Sequence, residues 1–129
     1  MARTAVAYSN LVPNGNLADP AGTATNAGAS NGHVIPAAGP NAKGLPELTV
    51  LRVVAGATGG NITVKAGTQP LAVAAGQGDL VVAVANSATQ WIGPFESGRF
   101  LQNDGTILVD VQTGFVAGTI TAFKFPRNT

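Results

Sequence analysis

Asn103-Asp104-Gly105-Thr106-Ile107-Leu108-Val109-Asp110-Val111 carries two structural signals in one short stretch. Ile107, Val109 and Val111 share one parity, opposite Thr106, Leu108 and Asp110. Side chains alternate across a strand, so this is β-structure with one apolar face. The residues ahead of it read as a hairpin turn, because Asp104 and Gly105 accept the positive φ angles of a type I′ loop.

The same grammar extends outward in both directions. Short β-rich runs separated by turns occupy Glu47–Ala55, Asn61–Ala66, Asp79–Ala85, Thr89–Gly93, Gly98–Gln102, Thr106–Val111 and Ala117–Phe125. Seven such runs predict an all-β fold, a single β-sandwich or β-barrel. Leu48-Thr49-Val50-Leu51-Arg52-Val53-Val54 is apolar on both faces and suits a central strand. In the last run Thr119, Thr121, Phe123 and Phe125 oppose Ile120, Ala122 and Lys124. Helix signals are sparse; the Leu71–Ala75 run is short and bracketed by Pro70 and Gly76.

Residues 1–44 read differently. From Pro13 to Gly44 the chain is Asn, Gly, Ala, Pro, Thr and Ser, punctuated by Asn14-Gly15, Asp19-Pro20, Asn31-Gly32 and Gly39-Pro40. Such a stretch cannot offset its own conformational entropy and is ordered only where it lies on another surface. The expected organisation is an extended N-terminal arm and tether over 1–44 and a body over 45–129. Thr4–Val12 holds the arm's anchors and one short strand.

Charged residues make up 10% of the chain, so its surface is covered mainly by small polar side chains and suits burial against neighbours. The net charge of +1 comes with singly scattered Lys and Arg, which argues against a nucleic-acid partner. No run approaches the ~20 apolar residues of a membrane span, and the opening residues do not form a signal peptide. With no cysteine, disulfides and thiolate chemistry are excluded, and synthesis in a reducing cytoplasm fits.

Catalytic constellations are hard to build from these residues. His33 is the only histidine and follows Asn31-Gly32 in the tether, where a strand-start or loop role outweighs general base catalysis. Asp79 reads as opening a strand. Asp110 and Glu96 form a conceivable carboxylate pair for glycoside hydrolysis, with nothing in their spacing requiring it. No ligand cluster for calcium or zinc is present in the pattern. Gly56-Ala57-Thr58-Gly59-Gly60 lacks the Gly-Lys-Ser/Thr ending of a phosphate loop and reads as a strand connection. Trp91-Ile92-Gly93-Pro94-Phe95 ends a strand at a Gly-Pro corner, where Trp91 and Phe95 are expected as internal support; a sugar-stacking platform is the alternative. No enzyme activity and no cofactor are expected.

In order, Met1-Ala2-Arg3-Thr4, the tether to Asn31-Gly32-His33-Val34-Ile35-Pro36, Leu48-Thr49-Val50-Leu51-Arg52-Val53, Asn61-Ile62-Thr63-Val64, Ile92-Gly93-Pro94-Phe95, Asn103-Asp104-Gly105 and Thr119-Ile120-Thr121-Ala122-Phe123 run nearly end to end. That order resembles the small decoration (auxiliary or cement) proteins of tailed bacteriophages and prophages. The chain departs from them in its longer tether and in Gly67–Gly78. The resemblance implies a β-sandwich or β-barrel virion protein on the outer surface of the capsid, made in the bacterial host cytoplasm. Its partners would be the major capsid protein and sister subunits in a homotrimer. Arg3, Tyr8, Leu11 and Val12 are the candidate contacts to capsid or sister subunits. Rival readings are a head-fibre, tail or baseplate component, and a carbohydrate-binding module using Trp91 and Phe95.

Overall fold

The computed structural model describes residues 3–28, 31–35, 46–67, 77–102, 104–115 and 117–125. Its elements are β1 (Thr4–Ala5), β2 (Tyr8–Asn10), β3 (Thr23–Ala24), β4 (His33–Ile35), a 3₁₀ turn (Pro46–Leu48), β5 (Thr49–Val54), β6 (Gly60–Val64), β7 (Leu80–Val84), β8 (Thr89–Ile92), a helical turn α1 (Ser97–Phe100), β9 (Ile107–Val111) and β10 (Thr119–Lys124). One sheet runs β1-β4-β9-β6-β7; the other runs β2-β10-β5-β8, with β3 also on β10. The sheets pack face to face as a β-sandwich, and they do not close into a barrel.

The apolar parities meet between the sheets. Ile107, Val109 and Val111 are buried while Leu108 and Asp110 between them are half-exposed. Ile62 and Val64 of β6 join them from the same sheet, and Leu51, Val53, Ile120 and Ala122 face them from the other. Each fully buried aliphatic side chain contributes roughly 1.5–3 kcal/mol. β5 lies between β10 and β8, the interior place its two-sided apolarity predicts.

Two elements differ from expectation. Gly98–Gln102 does not form a strand; the Glu96 carbonyl accepts from Arg99 N–H and Phe100 N–H, both at 3.1 Å, and the chain makes α1. Phe95 and Phe100 are both buried, and their rings meet edge to face at 5.4 Å. Winding the chain there sends two side chains five positions apart into the same core. The turn at Asp104-Gly105 consequently leads from α1 into β9 and joins no hairpin. Gly105 sits at φ 86°, and Asp104 Oδ1 accepts from Thr106 Oγ1–H at 2.6 Å and Thr106 N–H at 3.1 Å.

The described part of 1–44 lies in both sheets of the body. β1 runs parallel to β4, β4 antiparallel to β9, β2 parallel to β10 and β3 antiparallel to β10. Val6, between β1 and β2, and Ile35 are fully buried. The surface that orders this stretch is thus supplied by the chain's own sheets. Residues 36–44 and the Leu71–Ala75 run lie outside the described residues.

His33 opens β4 and is completely buried. Its Nε2 accepts from Asn26 N–H at 3.0 Å and its Nδ1 lies 3.2 Å from the Thr4 carbonyl, an arrangement that suits a neutral ring donating through Nδ1. Burial pushes its pKa below 6.5; the Thr4 bond opposes this and the nearby Arg3 charge adds to it. The unfolded chain therefore takes up a proton near 6.5 that the folded chain accepts only at lower pH. Stability contributed by the neutral ring is full above 6.5, declines as pH falls below it, and levels off beneath the folded pKa. Asp79 and Asp104, held below 3.8 chiefly by the Ala66 N–H and the Thr106 hydroxyl, lose their contributions only in stronger acid. Urea midpoints should fall between about pH 7 and about pH 5 in the native chain and stay flatter in His33→Gln. Equal slopes in the two proteins would show that this ring does not set the response.

Candidate functional surface

The four residues proposed from the sequence as contacts occupy different settings. Arg3 Nη1 donates to Asp110 Oδ1 at 2.5 Å and to the Val109 carbonyl at 3.2 Å, so its charge is engaged within the fold. Tyr8 is half-buried against the core, its hydroxyl 3.4 Å from Thr49 Oγ1 and its ring 5.7 Å from Lys124 Nζ. Leu11 is half-buried and donates its N–H to the Lys124 carbonyl at 2.9 Å. Val12 projects outward, 56% exposed.

Beyond Leu11 the chain leaves the edge of β10 and returns to it at Thr23. On the way it crosses the outer face of the second sheet. Arg52, central on β5, fixes this crossing: Nη1 pairs with the Asp19 carboxylate, and Nη2 donates to the Pro20 carbonyl at 2.8 Å and to Thr121 Oγ1 at 3.3 Å. Gly22 completes the seat. Its φ is +85°, and a Cβ there would stand 2.6 Å from Thr121 Oγ1, so both conformation and clearance require glycine.

The guanidinium of Arg52 also lies 5.5 Å from the Phe123 ring centroid and 6.0 Å from that of Trp91. Trp91 is the direct cross-strand neighbour of Arg52 and stacks on Phe123 at 5.4 Å with a 30° interplanar angle. One side of the Trp91 ring system is thereby occupied, while the residue remains 60% exposed. This corrects the expectation that Trp91 is internal support; Phe95 alone fills that role, and its burial removes it from any sugar-stacking pair. The alternation of Thr89-Gln90-Trp91-Ile92 carried the signal, since Ile92 points into the core and its neighbour must point away.

Val12, Leu17, Trp91 and Phe125 are four of the large hydrophobic residues exposed to solvent. They come from the crossing segment, from β8 and from the residue after β10. Of these, Trp91 adjoins the crossing segment on the outer side of the second sheet through the clamp residue Arg52, which lies against both. The outer face of the first sheet carries an open groove of about 300 Å³ lined by Gly28, Asn61, Thr63, Asp110, Val111, Gln112 and Thr113, beside the exposed Val81 that pairs with Thr63.

The chemistry-bearing candidates have structural partners. Asp110 faces Arg3 and, at 4.0 Å, Lys65, while Glu96 lends its carbonyl to α1. Both ring nitrogens of His33 face backbone groups. Asp79 immediately precedes β7 and binds Lys65 Nζ and Ala66 N–H. The glycine-rich 56–60 segment joins β5 to β6, with Gly59 N–H donating to Asn86 Oδ1 at 2.8 Å. Among the described residues no group of three or more His, Cys, Asp or Glu is placed to hold a metal ion, and no helix is long and apolar enough to cross a membrane.

Arg52 carries more of the clamp than its acidic partner does. Asp19 is 81% exposed at its side chain, so the ion pair itself is worth ~0–1 kcal/mol. Arg52 is nearly buried, and its Nη2 reaches Pro20 and Thr121, while its buried Nε has no hydrogen-bond partner among the described residues. Arg52→Ala should cost about 1.5–3 kcal/mol and expose the 12–22 segment to limited proteolysis, whereas Asp19→Asn should do neither strongly. Protease resistance equal to the native chain in Arg52→Ala would refute the clamp. No family model, curated protein or solved structure matches this chain.

Proposed function

We propose that this chain is a structural virion protein that decorates the outside of a tailed-phage capsid and reinforces contacts between capsid subunits. The observation that carries the reading is the exposure of large apolar side chains at separate places in the fold, Val12 and Leu17 in the crossing segment, Trp91 on β8 and Phe125 after β10, which fits an extended partner better than a small ligand. The order of motifs resembling decoration proteins supplies the identity of that partner, the major capsid protein, alongside sister copies on the outer surface. Shallow contacts of this kind hold weakly one at a time, and repetition over a lattice raises their combined hold. In this reading the protein is made in the host cytoplasm and carries neither catalytic residues nor a cofactor.

Of the four sequence-derived contacts, Val12 is the one best placed to touch a shell directly. Tyr8 and Leu11 tie the chain just before it to β10, whereas Arg3 is engaged with Asp110 in the other sheet. Truncating the first twelve residues would remove β1 and β2, so point substitutions in the crossing segment make the better test. Val12→Asp/Leu17→Asp should lower binding to undecorated expanded heads roughly tenfold or more in cosedimentation, with the thermal midpoint preserved. Undiminished attachment by a folded double variant would refute this surface as the capsid contact. Microscopy of particles separates the readings: copies spread over the shell support decoration, and copies confined to fibres, tail or baseplate support the rival.

The exposure of Trp91 favours a second reading, glycan binding at a single-ring platform. Glycan-array signal that disappears in Trp91→Ala and persists in Val12→Asp/Leu17→Asp would favour it over capsid attachment.

A further inference from the structure

We infer that two copies of this chain join edge to edge through β7 and β8, continuing both sheets of the sandwich across a twofold axis. Among the described residues, β7 is the last strand of the first sheet and pairs only with β6, and β8 is the last strand of the second and pairs only with β5. Residues 85–88 connect them directly, so the two open edges lie on the same side of the molecule. The opposite side is treated differently, for it ends in the two- and three-residue strands β1, β2 and β3.

An edge strand offers unpaired backbone N–H and C=O groups, and folded proteins ordinarily blunt it with lysine, proline, a bulge or brevity. None of the side-chain devices is present here. Leu80-Val81-Val82-Ala83-Val84 and Thr89-Gln90-Trp91-Ile92 contain no charge and no proline, and β7 is five residues long. Val81 and Trp91 are 55% and 60% exposed. Among the described residues no element pairs with the outer edge of either strand.

The occupant follows from the doubling of the edge. A single foreign strand would satisfy β7 or β8 and leave the other open. A second copy presents two edges at the same sheet-to-sheet spacing, and a twofold axis normal to the sheets brings both pairs together antiparallel. Uncharged residues of the two copies then face one another at every position, so no like charges oppose. A threefold ring, which the resemblance to decoration proteins implies, would set this edge against a different surface, and the short strands opposite cannot match it. The pairing stands whether or not the chain binds a shell.

Five residues span only about 17 Å, so the joint falls below the ~800 Å² per partner of a standard interface and should be weak. Sedimentation equilibrium of the full chain from about 1 µM to about 1 mM should show a monomer–dimer equilibrium. Val81→Lys/Ala83→Lys, both at exposed positions, should remain monomeric across that range with an unchanged thermal midpoint. Hydrogen exchange of the native chain supplies a reading independent of any variant: amides of β7 and β8 should slow as concentration rises, while those of β2 do not. A monomer throughout, a trimer, dimerisation undiminished by the two lysines, or protection that ignores concentration would each overturn the inference.

Discussion

Strand β10 must satisfy its backbone on both edges while both of its faces are covered. One edge is paired with β5 along all six residues, and the other is shared by β2 and β3. Ile120 and Ala122 face the core, while Thr121 and Phe123 lie buried on the outer side beside Arg52. An unpaired amide in such a strand would cost about 1–3 kcal/mol. The N-terminal segment therefore belongs to the fold energetically, because it supplies the hydrogen bonds that a strand covered on both sides cannot obtain from water.

That requirement also makes the molecule asymmetric. Residues 4–35 finish one side of the sandwich, adding β4 and β1 outside β9, and β2 and β3 outside β10. The chain's remaining strands then end at β7 and β8 on the other side, without a further segment among the described residues to cap them. The polar, glycine-rich composition at the start and the bare edges in the middle of the sequence are thus two aspects of one distribution of strands. Among the described residues, one side is completed from within and the other shows no strand paired to its outer edge.

How much of this could be read from the sequence depended on whether a feature was periodic. Ile107, Val109 and Val111 declared their strand because three alternations align, and β5 declared its interior place by being apolar in succession. β1 and β3 have two residues each, too few for any period, and their register depends on partners far along the chain, as in Thr4 opposite His33 and Ala24 opposite Thr119. Strand preference is set by such partners more than by the residue itself. The Trp91 surface was missed for another reason: bulk suggested burial, whereas the local alternation with Ile92 decided orientation. Arg52 amid apolar neighbours was visible, but its acceptors Asp19 and Pro20 lie 33 and 32 positions away.

The few charges are largely consumed inside the molecule, and this decides what kind of recognition the surface can support. Arg3 faces Asp110, Arg52 faces Asp19, and Lys65 lies between Asp79 and Asp110. Arg99 donates to the carbonyls of Gly78 and Asp79 and lies over the Phe100 ring. Pairing of opposite charges within a few ångströms cancels much of their field beyond the Debye length of roughly 8 Å, so steering of a distant partner by charge is weak. Short-range terms must then select partners: apolar contact at Val12, Leu17 and Trp91, and backbone pairing along β7 and β8. Both need close, extended approach, which favours a flat shell or another copy of the same sandwich over a small diffusing ligand.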